Sequence, residues 1–162
     1  MEEPQASRPH MPGYGLAPAS AGLLPWSWAE ERLRASRNFW ISTVRPDGRP
    51  HAMAVWAAWH DGLLGFSSGE QSRKAQNLVA NPACTATTES ADEAVIIEGT
   101  VTRDFDPRQH AGVAEAYREK YGMGIDAVPG SYVFILRPRV VFGIIEAEEQ
   151  FSSAATRWTF GG

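Results

Sequence analysis

Residues 39–68 read FWISTVRPDGRPHAMAVWAAWHDGLLGFSS, and this run decides the fold. Residues 39–45 are rich in aromatic and β-branched side chains, which fit an extended, pleated backbone. They end at Pro46-Asp47-Gly48, where proline presets φ and glycine accepts a positive φ. Residues 51–59 form a second extended stretch, closed by His60-Asp61-Gly62, whose Asp-Gly pair is a strong hairpin signal. Residues 63–68 supply a third. Three strands joined by two tight turns make a meander, and its neighbours run antiparallel.

Working outward, Ser27 with Glu30 three residues on has the form of a capping box, so a helix is expected over residues 28–37. After the meander, Ser72 reads as the cap of a short helix that ends at Asn81-Pro82. Strands follow over residues 83–89 and 94–103, and Gly99 in the second suggests a bulge or sharp bend. Asp106-Pro107 reads as a helix start, and a Val113–Tyr117–Tyr121 stripe carries that helix to Gly122. Residues 132–136 read as a strand buried on both sides and interrupted at Pro138; residues 140–145 and 155–160 complete the set. Strands in this number, with helices between them, predict an antiparallel, barrel-like α+β domain. Its long apolar strands would leave costly edges unless the barrel closes or a second chain covers them, which favours a dimer.

The bulk numbers narrow the function. A chain of 162 residues fits one domain with a real core, and 43% hydrophobic with 21% charged residues is a globular composition. A net charge of −4 and the lack of any Lys/Arg run argue against nucleic acid as partner. Cys84 is the single cysteine, and the histidines have no metal-ligand spacing, so no metal is expected. Between Pro9 and Ala29 there is no charged residue, yet four prolines and three glycines there exclude a regular membrane helix. With Glu2 and Glu3 opening the chain, a signal peptide is not expected either. Residues 1–25 are read as a flexible arm, residues 26–162 as the domain, and the protein as cytoplasmic.

Chemistry concentrates in Gly69-Glu70-Gln71-Ser72-Arg73-Lys74-Ala75-Gln76-Asn77-Leu78. Arg73 and Lys74 fall in the first turn of the helix, where cations meet the positive end of the dipole at a cost of about 0.3–1 kcal/mol each. An anion on the helix N-terminus reverses that sign, and Ser67 and Ser68 could add hydroxyl donors. Two solvated cations on a surface helix explain the spacing equally well. On the second strand, Ala52, Ala54, Trp56 and Ala58 make a small-residue face that would let a flat ring approach the backbone; a tapering barrel interior asks for the same residues. Thr156-Arg157-Trp158 offers a charge beside a stacking plane, or simply a tail packed on the core. Nucleophile-elbow, paired-carboxylate and glycine-rich phosphate-loop motifs are missing, which removes hydrolases and kinases. Flavin chemistry requires none of them.

The stretches 40–51, Val55-Trp56, Phe66-Ser67-Ser68-Gly69, Ser72 to Leu78 and Asn81-Pro82 together resemble the pyridoxamine 5′-phosphate oxidase-like superfamily. More narrowly, they are similar to its actinobacterial branch of deazaflavin (coenzyme F420)-dependent oxidoreductases. The resemblance implies an α+β, predominantly antiparallel, six-stranded split β-barrel with flanking helices, assembled as a homodimer with two cofactor sites at the interface. It implies a cofactor phosphate on Ser67, Ser68, Ser72, Arg73 and Lys74 with Asn77 nearby, and a ring along Met53, Ala54, Val55 and Trp56. Arg157 and Trp158 would reach the site from the partner or close its rim. The implied activity is hydride transfer from reduced F420 to a small unsaturated or quinone-like substrate; FMN is the alternative cofactor, and a non-catalytic flavin- or haem-binding module the alternative role. Ala54 stands where relatives often carry proline, and the substrate pattern of true pyridoxamine phosphate oxidases is not present. No catalytic acid or base is assigned, with solvent or His51 as sources of a proton.

Overall fold

The computed structural model describes residues 2–18 and 21–161; residues 1, 19 and 20 of the expected arm and Gly162 lie outside the described residues. The meander forms as expected: β2 (Asn38–Val44), β3 (Pro50–His60) and β4 (Leu63–Gly69) are antiparallel neighbours. Asp61 (φ +42°) and Gly62 (φ +80°) make the second turn, the left-handed pair that matches the twist of a hairpin. β1 (Gln5–Ser7), α1 (Trp26–Ala35), α2 (Arg73–Ala80), β5 (Ala83–Thr88), β6 (Glu93–Thr102), α3 (Ala111–Tyr121), β7 (Ser131–Ile145), α4 (Glu148–Ala154) and β8 (Thr156–Thr159) complete the chain. The strand order is β1-β8-β7-β4-β3-β2-β5-β6, and pairing of β6 with β7 closes six of these strands into an antiparallel barrel.

The barrel interior holds Phe39, Ile41, Leu64, Phe66, Ile97 and Phe134, all fully buried. α1 closes one end through Trp26, Ala29 and Leu33, and α2 closes the other through Ala75 and Leu78. A second core lies outside the barrel, where Val113 and Tyr117 of α3 pack on Ala58, Val133 and Ile135.

Several boundaries differ from the sequence reading. α1 starts at Trp26 with Pro25 as its cap, and no side chain caps it. Ser27 lies inside the helix because burying Trp26 between Trp59 and Trp158 outweighs a local cap. The helix expected at Asp106 starts only at Ala111: the Asp106 carboxylate accepts the Arg108 N–H (2.8 Å) and its carbonyl the His110 N–H (2.8 Å), which closes a separate turn first. β7 is one strand and is not interrupted at Pro138. That residue sits where β7 exchanges one neighbour for another: β4 pairs as far as Leu136 and β8 from Val140, so the missing N–H breaks no bond there. Facing it, the β6 register shifts between Glu98 and Gly99, the expected bulge; a Cβ on Gly99 would stand 2.1 Å from the Arg137 carbonyl oxygen. α4 has no counterpart in the sequence reading.

The expected arm is tied to the domain along part of its length. Gln5–Ser7 adds a strand to β8, and the Arg8 guanidinium donates to the carbonyls of Ser153 and Ala155, both at 2.7 Å.

Candidate functional site

The end of the barrel closed by α2 collects most of the residues singled out from the sequence. Ser72 caps the helix, its Oγ accepting the Ala75 N–H at 3.2 Å and lying 2.7 Å from Ser68 Oγ. The first turn of α2 has no acidic residue, and it carries Arg73, exposed, and Lys74, half-buried. Burial holds the Lys74 ammonium below the usual lysine range. Among the described residues, no carboxylate pairs with Arg45, Arg73 or Lys74. Helix dipole and side chains therefore add positive potential with nothing to neutralise it.

Behind this surface, Asn77 is fully buried and donates to Thr43 Oγ1 at 3.0 Å, while its Oδ1 has no partner. Thr43 lies opposite His51 in the β2–β3 ladder, and the His51 Nδ1 is likewise buried without a partner. Desolvation of the ring, and after it the charges of Arg45, Lys74 and Arg73, hold His51 below its ordinary pKa. These residues fit a phosphate: cations, hydroxyl donors and first-turn N–H groups meet without a competing anion.

Ser67 does not join the group. Successive residues of β4 face opposite sides of the sheet, and Ser67 turns to the Tyr117 hydroxyl while Ser68 turns to α2.

From the same end runs the expected ring platform. Met53, Ala54 and Trp56 are exposed and Val55 is half-buried against the barrel core. Trp56 stacks on Tyr121 with ring centroids 4.6 Å apart and planes 3° apart, and the Arg37 guanidinium lies 5.5 Å from the Trp56 ring. Tyr121 Oη accepts the Ala57 N–H (2.9 Å) and donates to the Arg37 carbonyl (2.6 Å); Lys120 Nζ donates to the carbonyls of Ser36 (2.7 Å) and Ala57 (3.2 Å).

Arg157 and Trp158 lie elsewhere. Trp158 is fully buried at the α1 end, edge-on to Trp26 at 5.4 Å, so within the protomer it forms no rim. It pairs with Val141 of β7, whereas Ser68 pairs with Tyr132. The two registers are separated by up to roughly 30 Å of strand. Arg157 is partly exposed and donates to Thr159 Oγ1 at 2.8 Å.

Thr43, Arg45 and Lys120 were not singled out from the sequence, and Tyr121 only as part of a helix stripe. The Pro46–Gly48 turn fixes the β2–β3 register, and that register would have placed Thr43 beside His51. Nothing local signals the approach of α3 to β3.

Among the described residues, no three His, Cys, Asp or Glu side chains gather as a metal site requires, and no helix is long and apolar enough to cross a membrane.

The chain is similar to several known proteins. An F420 reductase is 25% identical, with a TM-score of 0.56 over 69% of this chain and 94% of its own. A conserved hypothetical protein from Mycobacterium tuberculosis (22% identity, TM-score 0.66, 86% of this chain and 93% of its own) shares the fold. So does the haem storage protein of Vibrio cholerae (18% identity, TM-score 0.57, 67% and 86%). None of the curated proteins matches the chain. The pyridoxamine 5′-phosphate oxidase family model matches residues 28–149, three quarters of the sequence, from α1 to the start of α4. With the closed six-stranded barrel and the anion-ready helix at its end, that match places the chain in the pyridoxamine 5′-phosphate oxidase family.

Proposed function

We propose that this protein is a deazaflavin (coenzyme F420)-dependent oxidoreductase that acts as a homodimer and reduces a small unsaturated or quinone-like substrate. One observation carries the reading: an uncompensated cationic helix start at Ser72, Arg73 and Lys74 lies beside a strand that leaves Met53, Ala54 and Trp56 uncovered. Ser68, Ser72, Arg73 and Lys74 hold a cofactor phosphate, and residues 53–56 receive the ring. Bound there, F420 would supply the hydride; the protein binds it, orients it and limits access of water.

A second copy is the proposed cover for the rest of the face. Trp40, Val44 and Trp56 are each 40–49% exposed on one face of β2 and β3, a concentration of apolar surface typical of interfaces. A groove of about 350 Å³ lined by Thr43, Val44, Pro50, Cys84, Glu98 and Arg139 is the proposed place for a tail longer than that of FMN. The 25% identity to an F420 reductase favours the same cofactor.

The test is an equilibrium titration with F420, FMN and hemin in parallel, read by tryptophan fluorescence and the ligand's absorbance. Tighter binding of F420 is the expected result. Preference for FMN would move the reading to a flavoenzyme, and a Soret band with no flavin binding would replace it with haem binding. Analytical ultracentrifugation checks the dimer.

A further inference from the structure

Thr43 and His51 face each other across the β2–β3 ladder, which puts their Cβ atoms about 4.5–5.5 Å apart on one face. Asn77, fully buried, donates to Thr43 Oγ1, and Asn77 Oδ1 and His51 Nδ1 are both buried without a partner. The charged groups that act on the imidazole are all cations: Arg45 from the β2–β3 turn, and Lys74 and Arg73 from α2. Asp47, the acid of that turn, is held by Arg49, whose N–H and Nε donate to its two oxygens at 3.1 and 2.9 Å.

We propose that His51 is a proton-linked member of the anion site, neutral in the free protein and protonated when a dianionic group docks among Arg45, Arg73 and Lys74. This rests on the phosphate site proposed above and adds its regulation. Three cations and partial burial disfavour a fourth charge on the imidazole, in accord with the lowered pKa of His51. A dianion among the same groups reverses the local sign and favours the imidazolium. Linkage is reciprocal, so the anion binds more tightly as pH falls through the His51 titration. The imidazolium then has a proton to offer the ligand, and its buried Nδ1 faces the side of the ladder that Thr43 and Asn77 occupy.

The experiment is a pH titration of the four histidine Cε1–Hε1 NMR signals, with His51 assigned by its loss in His51→Gln. Sulfate is the probe because it stays dianionic across the range, and chloride at equal ionic strength controls for screening. The expected result is a His51 midpoint raised by about one unit in sulfate, with the other three histidines unmoved. In Arg73→Ala/Lys74→Ala the free midpoint rises and the sulfate effect disappears. A His51 midpoint that ignores sulfate, while the Arg73 and Lys74 amides respond to it, overturns the proton linkage and leaves the anion site standing. If neither sulfate nor FMN nor F420 perturbs those amides, the anion site fails and the linkage with it.

Discussion

The two halves of β3 have the same kind of sequence and opposite fates. Ala57 to His60 pairs with β4, on the side of β3 away from β2, and Ala57, Ala58 and Trp59 are at most 2% exposed. Pro50 to Trp56 pairs with β2 alone, and Ala52, Met53, Ala54 and Trp56 remain exposed. A free strand edge is usually blunted with charge, a bulge or shortness. Here it carries alanine, methionine, valine and tryptophan, a composition that suits an edge covered by another molecule. The two halves meet at Ala57, just past the last β2–β3 pair, where the side chains of Lys120 and Tyr121 bridge the Ala57 backbone to the carbonyls of Ser36 and Arg37. One half of the strand is thus part of the barrel wall, and the other is available to a ligand and a partner.

Two tryptophan truncations put that division to the strongest test. Trp59→Ala removes a side chain that is 2% exposed and packs edge-on to Trp26, and should cost about 3–5 kcal/mol of stability. Trp56→Ala removes one that is 40% exposed and stacked on Tyr121, and should cost only about 1 kcal/mol in the isolated chain. Urea denaturation of both variants measures the difference. Equal losses would mean that the outer half is also structural and that the division of β3 is wrong.

The second comparison sets affinity against stability at the α2 end. Replacing Arg73 and Lys74 together by alanine removes two cations from a helix start that disfavours them, so folding stability should hold or rise by about 0.5–1 kcal/mol. Binding of a phosphate-bearing cofactor should fall at least tenfold, because a hydrogen bond to a charged group is worth about 1.5–3 kcal/mol. Calorimetric titration and thermal melts on the same preparation read both quantities. A variant that loses stability in step with affinity would make these side chains part of the scaffold.

The division of β3 also marks how much of the protein the sequence disclosed. Local chemistry was enough for the meander, for the helix capped by Ser72 and for the bulge at Gly99, since proline, glycine and a capping hydroxyl act within a few residues. The same holds for the charges of Arg73 and Lys74 at a helix start. What stayed hidden depends on distant neighbours. Pro138 looks like a strand breaker until β4 is seen to stop before it and β8 to begin after it. Ser27 looks like a cap until Trp26 is seen to be needed in the core. Ser67 and Ser68 look alike, and only the pleat sends one to Tyr117 and the other to Ser72. Trp158 beside Arg157 reads as a ligand-stacking pair, and the packing of Trp26 claims it for the interior.

The smallest effect tests the junction itself. Burial pushes the Lys120 ammonium down to about 8, while its two carbonyl acceptors at Ser36 and Ala57 hold it in place. In the unfolded chain the same group titrates near about 10.4. Between those values the unfolded state binds more protons than the folded one, so this lysine makes the protein more stable as pH rises through that window. Below about 8 it is charged in both states and the folded protein bears the whole desolvation cost. Cys84 acts in the opposite direction, since burial raises its thiol to about 12 and the folded state keeps a proton that the unfolded chain loses. The useful quantity is therefore the difference between the wild type and Lys120→Met, to which Cys84 contributes equally on both sides. Melting temperatures from pH 7 to 9.5 should show the wild type gaining on the variant by a small, steady margin. A constant difference across that range would mean that the ammonium is solvated, and that the end of the β2–β3 ladder is closed by Tyr121 alone.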